Sequence, residues 1–211
     1  MTLWLLAVAA FGVAGGALVA AQSSPTRPSP TLTLSGPARA TALHPPGAAR
    51  RRSLPSVAHS TPVRLSIGQL GISTAVGTLG LQANGQVMVP RSVHTVGWYR
   101  DGPTPGEVGS SVILGHVDSY LGPGIFFELK TLREGAIISV LLADGVTTRF
   151  AVTRVVEYSK GSFPDRLVYG PRGTRSLNLV TCGGVFDHAT GHYESNIVVF
   201  SRLVAVERPV A

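Results

Sequence analysis

The residue best able to act as a nucleophile is Cys182, the only cysteine in the chain. It ends an apolar run at positions 177–182, and Gly183 and Gly184 follow directly, so that a ligand can approach the backbone closely. A single cysteine forms no intramolecular disulfide and no metal site with several thiolates. A lone thiol in an exported protein is either a small buried filler or a group used in chemistry, and Cys182 by itself leaves both interpretations open.

His116 is the histidine with the matching position, because it closes a short apolar run at 112–115 and leads into a loop. Catalytic side chains are usually displayed on loops that a rigid scaffold positions. The thiolate is the nucleophilic form of cysteine, so a nearby group must take the thiol proton at neutral pH. Histidine can take that proton and later protonate a leaving amine. The remaining histidines lack this strand-end setting: His44, His59, His94, His188 and His192.

The elements that must position these two groups begin at Val63, where short apolar runs alternate with turn residues. Asp144-Gly145, between two long runs, predicts a tight hairpin, and only positions 126–133 look helical. Many short strands predict an all-β domain, a closed or nearly closed barrel or a sandwich, since closure hides strand edges. The predicted strands with the clearest pattern lie at 111–117, 136–142, 148–158, 176–182 and 197–204.

The N-terminal part has a different composition. Positions 3–21 form an uncharged apolar run of 19 residues, long enough to cross a bilayer as a helix. We expect a membrane anchor or an export signal there, and Val19-Ala20-Ala21 leaves cleavage open. Positions 22–62 hold 8 of the 15 prolines and predict a disordered stalk. The predicted organisation is an anchor or signal segment at 1–21, a stalk at 22–62, a folded domain at 63–205 and a tail at 206–211.

Charge is distributed unevenly along the chain. All 11 acidic residues lie from Asp101 onward, so positions 1–100 carry 8 Lys/Arg and no carboxylate, while positions 101–211 carry 10 Lys/Arg against 11 Asp/Glu. The net charge of +7 therefore belongs to the N-terminal part, mostly to its Pro-rich stretch, which argues against a nucleic-acid-binding domain. The sequence has no carboxylate cluster with calcium-ligand spacing and no nucleotide-binding glycine motif, so we expect neither metal nor cofactor.

Several local motifs accompany the cysteine and the histidine. The stretch 115–119 reads GHVDS, the stretch 179–184 reads LVTCGG, and the stretch 186–199 reads FDHATGHYESNIVV. Together with Val89-Pro90, GWY at 97–99 and PGEVG at 105–109, these motifs closely resemble the sortase family over roughly residues 63–205. They look most similar to the actinobacterial class called F.

The resemblance implies an eight-stranded sortase β-barrel with one or two short helices, and a cysteine transpeptidase activity. In such an enzyme the Cys182 thiolate attacks a Thr-Gly-type bond in an LPXTG-like sorting signal of a secreted protein. An amine of a peptidoglycan precursor, or another amine acceptor, then resolves the thioester. His116 would shuttle the proton, Thr181 would help to shape the oxyanion pocket, and Asp118 would orient the histidine loop. We expect a monomer, outside the cytoplasm, anchored to the cell membrane by its N-terminal segment.

One position departs from the family pattern. The usual third catalytic residue of sortases is an arginine on the strand after the cysteine, and alignment on Thr190-Gly191 places Asn196 there. Asparagine donates a hydrogen bond to an oxyanion but brings no charge. Three alternatives stay open: Asn196 fills a reduced role, Arg172 or Arg175 takes the place, or the chain is a weak or inactive sortase-fold binding module. A thiol peptidase with water as its acceptor would use the same residues.

Overall fold

The structure is a computed structural model that describes residues 54–209. The predicted anchor or signal segment at 1–21 and most of the predicted stalk therefore lie outside the described residues, as do the last two residues of the tail. Between residues 54 and 209, no helix is both long enough and apolar enough to cross a membrane.

Strands dominate the described residues, as the alternating apolar pattern predicts. The helical segments are short: α1 at Asp165–Val168 and single 3-10 turns at Gly68–Leu70, Leu129–Thr131 and Lys160–Ser162. The strands are β1 Pro62–Ile67, β2 Ile72–Leu79, β3 Val96–Tyr99, β4 Gly109–Gly115, β5 Asp118–Ser119, β6 Gly122–Pro123, β7 Ile137–Leu142, β8 Thr147–Ser159, β9 Arg175–Asp187 and β10 His192–Glu207.

Eight of these strands form one closed barrel in the order β1-β2-β3-β4-β9-β10-β8-β7, while β5 and β6 pair only with each other. The pairs β2–β3 and β4–β9 are parallel and the other barrel pairs are antiparallel. Closure leaves no unpaired edge strand in the barrel. The prediction of an all-β, closed eight-stranded barrel with few short helices is confirmed.

Side chains alternate between two apolar clusters along the strands that matter for the site. On β9, Leu177 and Leu179 belong to the cluster inside the barrel, whereas Val180 belongs to a second cluster on the outer face, which α1 covers with Val168. Successive strand residues point to opposite faces. The alternation therefore directs Thr181 inward and the neighbouring Cys182 outward.

Two turn and helix predictions have different outcomes. The Asp144-Gly145 hairpin is present between β7 and β8, with Gly145 at φ +83° and the Asp144 carboxylate accepting the Val146 N–H at 3.1 Å. The predicted helical segment at 126–133 contains only the 3-10 turn at Leu129–Thr131. Leu129 is fully buried in the barrel interior, so tertiary packing decides the conformation of this short segment.

The folded part begins earlier than the predicted boundary at 63. Residues 54–61 lie against the barrel, and Leu54 and Val57 pack against its interior cluster. The Arg175 guanidinium donates to the Pro55 carbonyl at 2.6 Å. The end of the predicted stalk is thus ordered by packing without any strand or helix periodicity. At the other boundary, β10 continues to Glu207, two residues past the predicted limit of 205.

Candidate active site

Cys182 lies in β9, half-buried on the outer face of the barrel. The two glycines after Cys182 suggest that the strand ends there, but β9 continues to Asp187. A bulge lies just beyond the cysteine, because three steps along β9, from Gly183 to Phe186, face two steps along β10, from Ser195 to Tyr193. Gly184 takes φ +79°, the left-handed conformation that a bulge of this kind requires of a glycine.

Asn196 is the β10 residue directly opposite Cys182. Directly opposed residues of an antiparallel pair lie on the same face with their Cβ atoms about 5 Å apart. Tyr158 of β8 is in turn opposite Asn196, so the same face carries a thiol, a carboxamide and an aromatic ring on three adjacent strands. Asn196 therefore has a position from which its amide can reach a group bound at the thiol.

His116 approaches Cys182 from the other side, along β4. This strand runs parallel to β9 with Leu114 beside Val180 and ends at Gly115, so His116 follows it directly, next to the part of β9 that holds Cys182. Neighbouring strands are about 4.8 Å apart, and residues two apart lie on one face. His116 and Cys182 therefore lie at the same end of the barrel, on neighbouring segments of the chain.

The His116 ring has a defined hydrogen-bond partner. Its Nε2 lies 2.6 Å from the carbonyl oxygen of Pro90, in the loop between β2 and β3. A carbonyl oxygen only accepts, so Nε2 carries a proton and donates it, which leaves Nδ1 as the basic nitrogen of the neutral ring. The His116 backbone is fixed as well, because its carbonyl accepts the Phe126 N–H at 2.9 Å.

The other two predicted site residues have different surroundings. Thr181 is 4% exposed, and its hydroxyl has no hydrogen-bond partner among residues 54–209. Because it faces the barrel interior, its side chain is on the opposite face from Cys182. Asp118 is half-buried in β5, two residues after His116, and its carboxylate accepts a hydrogen bond from the Tyr193 hydroxyl.

The surroundings keep the thiol of Cys182 largely protonated. Burial raises the pKa of this thiol, the Lys160 ammonium lowers it, the Asp118 carboxylate raises it, and the net pKa is above the ordinary value of 9.0. Since only the thiolate is strongly nucleophilic, a group that removes the proton during the reaction is needed. The arrangement suits a thiol activated by an adjacent base better than a preformed thiolate.

Neither arginine suggested by the sequence lies near the thiol. The Arg175 guanidinium donates to the Leu54 and Pro55 carbonyls at the start of β9, seven residues and about 23 Å along the strand from Cys182. Arg172 is in the loop that leads into the same strand end. Asn196 is thus opposite Cys182 without either of these arginines beside it.

Three residues close to the site escape sequence reasoning. Pro90, Lys160 and Tyr193 meet the site only through loop and hairpin geometry. Pro90 and Tyr193 lie in motifs that resemble sortases, but those motifs do not show their contacts, and Lys160 stands out only as one of two lysines in the chain. Within residues 54–209, no group of three or more metal-ligating side chains converges. Two cavities of about 240 and 490 Å³ lie at the opposite end of the barrel, both bordered by Ser56 and Val57.

Comparison with known proteins identifies the family. The family model described as "Sortase domain" matches residues 65–204. The chain belongs to the sortase family. Family membership implies a cysteine transpeptidase that acts in cell-wall sorting on proteins with sorting signals, and such enzymes generally work outside the cytoplasm in association with the membrane. No curated protein sequence matches this sortase.

Solved structures with the same fold are distant in sequence. The SrtA sortase from Actinomyces oris is 20% identical with a TM-score of 0.51, covering 73% of this chain and 86% of that one. Sortase A from Listeria monocytogenes is 12% identical with a TM-score of 0.55, covering 72% and 92%. Sortase C1 from Streptococcus agalactiae is 18% identical with a TM-score of 0.53, covering 71% and 68%. At these identities the likeness supports the barrel fold of this sortase alone.

Proposed function

We propose that this sortase cleaves an LPXTG-like sorting signal through a thioester on Cys182 and transfers the acyl group to a cell-wall amine. The observation that supports the proposal is the strand register: Asn196 of β10 is directly opposite Cys182, and His116 follows the end of β4, the strand that runs parallel to β9 on its other side. A nucleophile, a base and a hydrogen-bond donor in this arrangement are the groups that acyl transfer requires.

In the first half-reaction, His116 Nδ1 takes the thiol proton and the Cys182 sulfur attacks the carbonyl carbon of a Thr-Gly-type bond. The carbonyl oxygen becomes an oxyanion, to which the Asn196 amide donates a hydrogen bond worth about 3 kcal/mol in favourable geometry. The intermediate collapses as His116 returns the proton to the leaving amine. The carbon–nitrogen bond breaks and a thioester remains on Cys182.

In the second half-reaction, an amine of a peptidoglycan precursor attacks the thioester carbon. His116 removes a proton from the attacking nitrogen, the carbon–sulfur bond breaks, and the thiol recovers its proton. A contribution of Thr181 to the oxyanion pocket comes through its backbone, because its side chain faces the interior. Asp118 orients the loop that carries His116.

The proposal extends to the setting of the enzyme. The sequence motifs favour class F, with secreted proteins that carry the sorting signal as donors. The apolar segment at 3–21 holds a monomeric domain outside the cell membrane through the Pro-rich stretch that follows. This setting brings the thiol to substrates that arrive across the membrane and to wall precursors.

The test is product analysis with the full-length protein, an LPXTG-type peptide and a small amine acceptor such as a glycine peptide. The expected mass is that of the peptide cut after threonine and joined to the amine, formed by the wild type and absent with Cys182→Ala. No product above the Cys182→Ala background in any peptide of a sorting-motif library would contradict the proposal.

The neutral Asn196 opposite Cys182 favours two alternatives. One is a slow peptidase that releases peptides to water, and the other is a barrel that binds sorting signals without cleaving them. Without the charge of a guanidinium, stabilisation of the oxyanion is weaker. Cleaved peptide without amine adduct, at a rate unaffected by added amine, would identify the peptidase. Peptide binding without turnover would identify the binding module.

A further inference from the structure

The hairpin that follows Cys182 extends beyond the barrel. Pairing of β10 with β8 begins at Ser195, so among the described strands residues 184–194 of the hairpin pair only with each other. The sheet in the loop that follows His116 is also small, because β5 and β6 have two residues each and pair only with each other. Isolated two-stranded hairpins are only marginally stable, so the outer part of the hairpin after Cys182 and the small sheet after His116 depend on further contacts for a fixed position.

One side-chain contact joins these two segments. The hydroxyl of Tyr193, on the returning strand of the hairpin, donates a hydrogen bond to the carboxylate of Asp118. The hydrogen bond to Asp118 raises the pKa of Tyr193 to about 12, so the phenol keeps its proton and remains a donor near neutral pH. Hydrogen bonds to a charged partner are about twice as strong as neutral ones.

The bulge beside Cys182 gives Tyr193 its position. An extra residue on one strand bends a hairpin and increases its twist, and here the bulge lies between Cys182 and the Tyr193–Phe186 pair. The rings of Tyr193 and Phe186 pack edge to face with centroids 5.1 Å apart, which fixes the orientation of the phenol. Gly184 is required at the bulge, because its φ of +79° strains any other residue and a Cβ there would lie 2.8 Å from the Ser195 Cβ.

We propose that Tyr193 is a positioning residue: by donating to Asp118 it ties the hairpin after Cys182 to the loop that carries His116, and so sets the approach of imidazole and thiol. This role rests on the proposed function, because it matters only if His116 exchanges a proton with Cys182. Tyr193 acts through Asp118 and does not touch the reacting atoms.

The test uses alkylation of Cys182 by iodoacetamide in the full-length protein, followed by intact mass. Since the chain has one cysteine, the adduct reports this thiol alone. Four proteins are compared at one pH: wild type, Tyr193→Phe, His116→Ala and the double variant. Positioning predicts that Tyr193→Phe slows alkylation about tenfold when His116 is present and less than about twofold when it is absent.

A matched control is available in Tyr120→Phe, which removes a hydroxyl from the loop between β5 and β6. Tyr120 is 96% exposed and makes no hydrogen bond with the described residues, so alkylation should stay at the wild-type rate. With a sorting peptide, Tyr193→Phe should lower kcat and leave KM within about twofold. Hydrogen exchange at residues 117–124 should quicken in Tyr193→Phe and not in Tyr120→Phe.

The outcomes separate the two proposals. An equal slowing by Tyr193→Phe with and without His116, or unchanged exchange at 117–124, overturns the positioning role and leaves the proposed function standing. An alkylation rate that His116→Ala does not alter overturns the proposed proton exchange. Hydrogen exchange then still decides whether Tyr193 ties the two segments.

Discussion

Some residues of the site can be found from the sequence and others cannot, as Cys182 and Lys160 show. The cysteine and the histidine can be found in the sequence, because each follows an apolar run and each lies in a motif that resembles sortases. Lys160 cannot be found that way, because it follows β8 and meets the thiol only across β10, where Ser159 faces Ser195. The contacts of Pro90 and Tyr193 are equally invisible, since each joins segments far apart in the chain.

The charge of Lys160 gives a prediction at this scale. Because its ammonium lowers the pKa of Cys182, Lys160→Gln should move the midpoint of thiol alkylation to higher pH and slow alkylation about threefold at pH 8. Lys160→Arg should stay close to wild type. Lys130→Gln, at the only other lysine, serves as the charge-matched control. An unshifted midpoint in Lys160→Gln would show that this ammonium does not act on the thiol.

At the scale of elements, the sequence predicts the strands and the closed barrel but misplaces the details next to the site. The apolar alternation predicts the strands because each buries one face in the interior cluster, but it leaves a barrel and a sandwich open, and the eight-stranded barrel follows from the resemblance to sortases. The pair Gly183-Gly184 reads as the end of a strand, yet glycines serve equally well in a bulge within one. Only the pairing with β10 distinguishes these two uses.

Gly124 shows how tightly the histidine loop is packed and gives the prediction for this scale. A Cβ on Gly124 would lie 2.5 Å from the carbonyl oxygen of His116, and the backbone there is held by hydrogen bonds. Gly124→Ala should displace His116, lower the rate of peptide cleavage at least tenfold and destabilise the fold by about 1–3 kcal/mol.

The control for this variant is Gly173→Ala, because a Cβ on Gly173 meets no atom within 4 Å and its φ is not positive. It should leave cleavage and thermal unfolding as in the wild type. Peptide-cleavage rates and melting temperatures of the three proteins are the measurements. Wild-type cleavage by Gly124→Ala would mean that the position of His116 does not depend on this packing.

At the scale of the whole molecule, the two ends of the barrel carry different groups. One end carries Cys182 and His116, and the other is covered by residues 54–60, where His59 contacts the Glu107 carboxylate at 3.2 Å and Arg208 donates to the Ser56 carbonyl. Burial would raise the pKa of Glu107, but hydrogen bonds from Thr104 and His59 lower it below its ordinary value. Composition alone assigns this covering segment to the Pro-rich stretch, because only the fold shows that Leu54 reaches the interior.

The central claim is that His116 activates the thiol of Cys182 for attack on a sorting signal. The most direct measurement is the intact mass of the full-length protein after a brief incubation with an LPXTG-type peptide and no amine. The account predicts a thioester adduct of one acyl group on the wild type, none on Cys182→Ala, and an adduct that forms about 100-fold more slowly on His116→Ala. A wild type without adduct, or a His116→Ala protein that acylates as fast as the wild type, would contradict it.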